Sequence, residues 1–168
     1  NLIKLLKKYN VKEVCVLAAK PDSQHKMDTA PTVKNFKKLG DFIKNYKDKD
    51  LEILIEACYP GLLFYVNEDV IGRVCCAAGR SNFSISVDGK LTPCRHIEYK
   101  ESFEDIEDYW KNSEILKKIR KSFLNVKEPC LNCKYSDKCI PCSAINYKME
   151  DDFFKGNKYC HMTNINIK

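Results

Sequence analysis

The chain has 168 residues, 44% of them hydrophobic, with 29 basic and 23 acidic side chains. Such a length supports one ordinary domain or two small ones, and no run of about 18 apolar residues is available to cross a membrane. The net charge of +6 rests on 25 lysines and only four arginines, which argues against a nucleic-acid site built on bidentate arginine contacts.

In chain order, Leu2, Ile3, Leu5 and Leu6 read as the end of a helix. Residues 11–19 contain the apolar run Val14, Cys15, Val16, Leu17 and Ala18, and a polar stretch follows over 20–32. From Val33 the spacing Val33, Phe36, Leu39, Phe42, Ile43, Tyr46 predicts a helix ending near Asp48, before a second apolar run over 51–57. Strand, helix and strand of this length form a βαβ unit with parallel, neighbouring strands. Both strands read as near-continuous apolar runs, the pattern of strands buried on both faces. Cys15 and Cys58, in or just after these strands, accordingly read as small buried side chains. Two strands alone do not make a stable sheet. Residues 1–74 are therefore expected to be the tail of a larger α/β barrel or sheet, with a small α+β domain that finishes its core with the second region as the alternative. Lys4, Lys7, Lys8, Lys34, Lys37 and Lys38 fall at helical spacing and read as solvated faces.

Two of the ten cysteines lie in residues 1–74 and eight in residues 75–168, and this shift places the domain boundary. Residues 83–87 alternate apolar and polar, Asp88-Gly89 supplies a tight turn, and residues 90–93 run back. This predicts a hairpin whose ends bring Cys76 and Cys94 together. Phe103, Ile106, Tyr109 and Trp110, then Ile115, Leu116, Ile119 and Phe123, predict two helices, the second capped by Asn112 or Ser113. Tyr109 and Trp110 read as core. His25, His96 and His161 read as loop histidines rather than ligands, and no Ser/His/Asp set or phosphate loop is evident.

The tightest cluster is Cys130-Leu131-Asn132-Cys133, five residues, then Cys139-Ile140-Pro141-Cys142. A Cys-x2-Cys turn aims two sulfurs at one point, as a soft tetrahedral metal or an iron–sulfur cluster requires. Cys130, Cys133, Cys139 and Cys142 alone could form a closed zinc site of a protein-interaction module. That site would leave Cys75, Cys76, Cys94 and Cys160 without a purpose, whereas two 4Fe–4S clusters need up to eight cysteines.

The wider pattern is Cys76, twelve residues, Gly89, four residues, Cys94, then Cys130-x2-Cys133-x5-Cys139, Cys142 and Cys160. With Cys76-Ala77-Ala78-Gly79, the hairpin from Ser86 to Cys94, and Tyr109-Trp110-Lys111-Asn112-Ser113, it resembles the SPASM domain over residues 75–160. SPASM domains form the C-terminal auxiliary-cluster region of radical S-adenosylmethionine enzymes that modify peptides and proteins. The resemblance implies that Cys76, Cys94 and Cys142 hold a first auxiliary cluster. Cys130, Cys133, Cys139 and Cys160 would hold a second. The first would have an open iron or a fourth cysteine, Cys75 being the local candidate. Here two residues separate Cys139 from Cys142 where the family usually has three, so Cys142 could instead join Cys130, Cys133 and Cys139.

The resemblance also implies an α+β chain in which residues 1–74 end a partial (β/α)6 barrel and residues 75–168 form the auxiliary domain. The family's radical-initiating Cys-x3-Cys-x2-Cys is absent from these residues. The expectation is a C-terminal fragment, cytoplasmic, that binds two 4Fe–4S clusters without turnover. S-adenosylmethionine and a peptide or protein substrate would engage the longer enzyme, through the missing N-terminal barrel. Zinc is the alternative metal, or a substitute acquired on aerobic handling. No nucleic-acid or membrane partner is expected.

Overall fold

The computed structural model describes residues 2–21, 31–70 and 74–165, leaving aside the side chains of 74, 75, 164 and 165. His25 lies outside the described residues. Helix α1 (Leu2–Lys8) leads into strand β1 (Glu13–Val16), and helix α2 (Val33–Asn45) returns the chain to strand β2 (Glu52–Ile55). Thr32 caps α2 by accepting the Asn35 N–H at 3.2 Å, which satisfies one of the first turn's free donors. The helix buries Phe36 and Ile43 and turns Lys34, Lys37 and Lys38 to solvent, as its spacing predicts.

β1 and β2 pair in parallel, with Val14 opposite Ile53 and Val16 opposite Ile55. The βαβ unit is as expected, but its strands are not buried on both faces. Val16, Ile53 and Ile55 pack against Phe36, Leu62 and Phe64, whereas Leu54 is 39% exposed and Cys15 is a surface thiol. Alternate strand residues point to opposite faces, and the apolar side chains of α2 and α3 (Pro60–Val66) gather on one of them. Cys15 is on the other. The expectation that it is a buried core residue is corrected on that ground. Among the described residues the strands form three separate pairs in a mixed α+β arrangement, and no barrel is closed.

The second region is built from short elements. Strand β3 (Val74–Cys75) runs parallel to a distant partner, β6 (Cys139–Ile140), while β4 (Ser84–Ile85) and β5 (Leu91–Thr92) form the antiparallel hairpin. Gly89 turns it with φ +73°, and Ser86 N–H donates to Lys90 O at 2.8 Å. Helices α4 (Ile106–Asn112) and α5 (Glu114–Ser122) meet at Ser113, whose hydroxyl accepts the Leu116 N–H at 3.3 Å. Tyr109, Leu91 and Leu116 form a small core against which Trp110 packs, and Ile115 and Ile119 join Ala78, Ile97, Ile145 and Phe153 in a larger one.

Helices α6 (Ser143–Glu150) and α7 (His161–Ile165) begin immediately after Cys142 and Cys160. Neither is legible as a periodic pattern. α6 buries Ser143 and Asn146 along with Ala144 and Ile145, so it has no clean apolar stripe.

Candidate metal centre

The parallel β3–β6 ladder arranges the centre. Val74 stands opposite Cys139 and Cys75 opposite Ile140, and the two strands run in the same direction. They therefore deliver Cys76 and Cys142 to the same end, where both are buried at 3% exposure. Cys139 stays at the start of the ladder. It is separated from Cys142 by three steps of near-extended chain, about 10 Å.

Around Cys76 and Cys142 the first group assembles. Their thiols and that of Cys58 form a hydrogen-bonded set. Cys94, carried by the returning arm of the hairpin, packs against the same core and feels the charge of Cys76. The hairpin thus brings Cys76 and Cys94 together as its ends predict. Cys58 comes from the first region, on the turn between β2 and α3. The sequence pattern marked it as a core side chain; it does pack on the core, but its thiol faces two candidate ligands. Cys75 contributes backbone to β3, and its side chain lies outside the described residues.

The second group surrounds a cavity of about 500 Å³ lined by Cys130, Cys133, Cys139 and Cys160, with Cys58 at its wall and Phe64, Tyr135 and Met162 among its apolar neighbours. Phe64 and Tyr135 stack at 4.5 Å, joining α3 to the Cys133 turn. Cys160 reaches the cavity because α7 is anchored through His161. That ring stacks on Phe36 at 4.6 Å and meets Pro31 O at 2.5 Å, so Nε2 carries the proton and donates. His161 is therefore a structural pin. His96 is not aimed at sulfur through its ring, which accepts from Arg95 Nε at 3.1 Å; its backbone N–H is what bonds the Cys94 sulfur.

Backbone donors point at sulfur in both groups. Cys76 accepts from Ser143 and Ala78 N–H, Cys130 from Asn157 N–H at 3.2 Å, and Cys160 from Met162 and Thr163 N–H. Within the first group, hydrogen bonds from Cys142 and Cys58 hold the Cys76 thiol far below its ordinary value, with the backbone donors assisting. Hydrogen bonds with Cys58 and Cys76, then burial, push Cys142 up. Burial also raises Cys94 and Cys160 and pushes Cys130 up to about 11. A thiolate is the form that binds metal, so these sites shed protons as they load. Beside the first group lies Lys20, only 8% exposed at its side chain and paired with Glu56 at 2.9 Å. Burial opposes its charge, but the bond to Glu56 and the fields of Cys142 and Cys58 outweigh it.

Residues 75–134 match the family model of the SPASM domain, described as an iron-sulfur cluster-binding domain. This segment is a SPASM domain. Neither the curated proteins nor the solved structures yield a match. The matched stretch contains Cys76, Cys94, Cys130 and Cys133, and the fold brings Cys139, Cys142 and Cys160 to these from beyond its end.

The donors present fit such clusters: soft thiols in two sets, backbone N–H groups aimed at sulfur, and a hollow between the sulfurs of the second set. They do not favour the closed zinc site. Thiolates around one tetrahedral zinc stand about 3.8 Å apart. Cys142, which that site needs beside Cys130, Cys133 and Cys139, stands with Cys58 and Cys76 instead.

Proposed function

We propose that this chain is the auxiliary-cluster portion of a cytoplasmic radical S-adenosylmethionine enzyme that modifies a peptide or protein. Cys76, Cys94 and Cys142 hold a first 4Fe–4S cluster, and Cys130, Cys133, Cys139 and Cys160 hold a second. Residues 75–168 make up the auxiliary domain, and residues 1–74 end the partial barrel. The observation that carries this is the interleaving: Cys139 and Cys142 are near neighbours in sequence, yet their thiols face different sets.

Exposed apolar side chains of the first region support the barrel assignment. Leu2, Leu5, Leu17 and Leu54 are 62%, 51%, 59% and 39% exposed, surface that adjoining barrel elements would cover. S-adenosylmethionine cleavage belongs to a Cys-x3-Cys-x2-Cys site that these residues lack, so the chain alone binds clusters without turnover. When bound, the clusters would supply one-electron transfer, substrate positioning, or both. The residues here hold and tune: the thiols ligate, the N–H donors offset charge on sulfur, and the apolar walls exclude water.

Anaerobic reconstitution with ferrous iron and sulfide tests the proposal. About eight irons and eight sulfides per chain, with broad visible absorption, are expected for two 4Fe–4S clusters. One tightly held zinc, with no iron taken up under the same conditions, overturns it.

A further inference from the structure

We infer that Cys58 is the fourth ligand of the first cluster, which is therefore held by cysteines alone and offers no open iron to substrate. This rests on the assignment of Cys76, Cys94 and Cys142 proposed above, and four observations carry it.

The first is position. Cys58 follows β2 at the carboxyl end of the parallel pair, the edge at which open α/β sheets place their ligands. Its backbone is fixed on both sides. Glu56 N–H extends the ladder to Val16 O at 3.0 Å, Tyr59 N–H closes the turn on Glu56 O at 2.8 Å, and Pro60 starts α3.

The second is contact. The Cys58 thiol bonds with those of both Cys142 and Cys76, whereas Cys15, the other cysteine of the first region, is at the surface. The third is charge: the buried ammonium of Lys20, paired with Glu56 at 2.9 Å, lies beside Cys58 and Cys142 together, where it would offset the negative charge of a cluster that both ligate. The fourth is number. Cys58 also touches the wall of the second cavity, but four thiols already line it. Adding Cys58 to the first group makes two sets of four.

A cluster closed in this way cannot coordinate a substrate thiolate or amide. It can exchange electrons only through its protein shell, and substrate must be held by side chains and backbone.

The test reconstitutes the full chain anaerobically beside Cys58→Ala, Cys58→Ser and the control Cys15→Ala. Each is assayed for iron and by electron paramagnetic resonance, reduced with and without added cyanide, and after mild oxidation with ferricyanide. The native chain and Cys15→Ala are expected to show no 3Fe–4S signal and no response to cyanide. Cys58→Ala is expected to expose one iron of about eight, which ferricyanide removes to give a 3Fe–4S signal and to which cyanide binds. Cys58→Ser is expected to keep its iron count through alkoxide ligation and to shift the spectrum of one cluster. It carries the test should the alanine variant fail to fold by circular dichroism. A native chain that itself forms 3Fe–4S and responds to cyanide, with Cys58→Ala identical to it, overturns the inference and leaves the two-cluster proposal standing. Failure of the native chain to take up iron overturns both.

Discussion

The two thiol groups differ in how far the polypeptide itself prepares them. The first is part of the hydrophobic core, with Cys76 and Cys142 buried among Ala78, Ile97, Ile119 and Ile145 and its members delivered by a hairpin, a ladder and a strand-end turn. The second lines a hollow, and all four of its thiols are partly exposed. Its walls carry the cysteine-bearing turn and the five-residue helix α7 together with the apolar side chains of Phe64, Tyr135 and Met162. The first group can form as the core forms. The second packs on a core of its own through Cys133, Cys139 and Cys160 but surrounds a hollow that bound contents would fill, so folding and cluster binding are expected to be more tightly coupled there.

The sharpest break in this comparison is a pair of substitutions three residues apart. Cys139→Ala is expected to remove the second cluster and Cys142→Ala the first, each costing about four of eight irons. Mössbauer spectra of the two variants should then be complementary and sum to the native spectrum. If either variant loses both sets of iron, the groups are not separable and the interleaving fails.

A smaller effect, confined to the second group, is expected from Gly156→Ala. A Cβ at Gly156 would lie 2.6 Å from Cys130 N and 2.8 Å from Lys127 O, both backbone atoms that cannot swing aside. The turn presenting Cys130 must shift, and the Asn157 N–H that meets its sulfur shifts with it. We expect partial iron loss from the second cluster and destabilisation of about 1–3 kcal/mol, the range for overpacking. Iron analysis and thermal melts of the loaded chain check this, and the first cluster's spectrum should be unchanged.

What could be read from the sequence follows from the kind of interaction involved. The α2 stripe, the Asp88-Gly89 turn and the Ser113 cap are local, and each appeared where periodicity or turn chemistry placed it. The Cys-x2-Cys spacings pointed to a metal- or cluster-binding segment, because ligand geometry is also local. The β3–β6 pairing is not: two residues on each side, 65 positions apart, carry no pattern of their own. Yet that ladder sorts Cys139 from Cys142, and the shortened spacer could not be interpreted without it. Cys58 was missed for the same reason. In sequence it is a small apolar residue after a strand, and only the packing of β2 against the second region turns it towards Cys76 and Cys142. Cys15 failed in the other direction, since a run of apolar residues does not reveal which face of a two-stranded pair is covered.

The smallest expected effect probes charge rather than structure. Lys20 stands beside Cys58 and Cys142, and no comparable buried cation is among the described residues lining the second cavity. Replacing it by methionine removes a positive charge and leaves the Glu56 carboxylate without its partner at 2.9 Å. Both changes disfavour adding an electron to a neighbouring cluster, so the first midpoint potential should fall. Glu56→Gln keeps the ammonium and removes the opposing carboxylate, and should raise that potential. The second cluster should move less in each variant, because the added distance weakens the field and solvent ions screen its partly exposed site. Redox titration followed by electron paramagnetic resonance resolves the two centres, and iron content should stay at the native level. Equal shifts at both centres would mean that the groups share one electrostatic environment. Opposite shifts at the first centre alone, down for Lys20→Met and up for Glu56→Gln, would show the buried pair setting that cluster's potential from the β1–β2 edge.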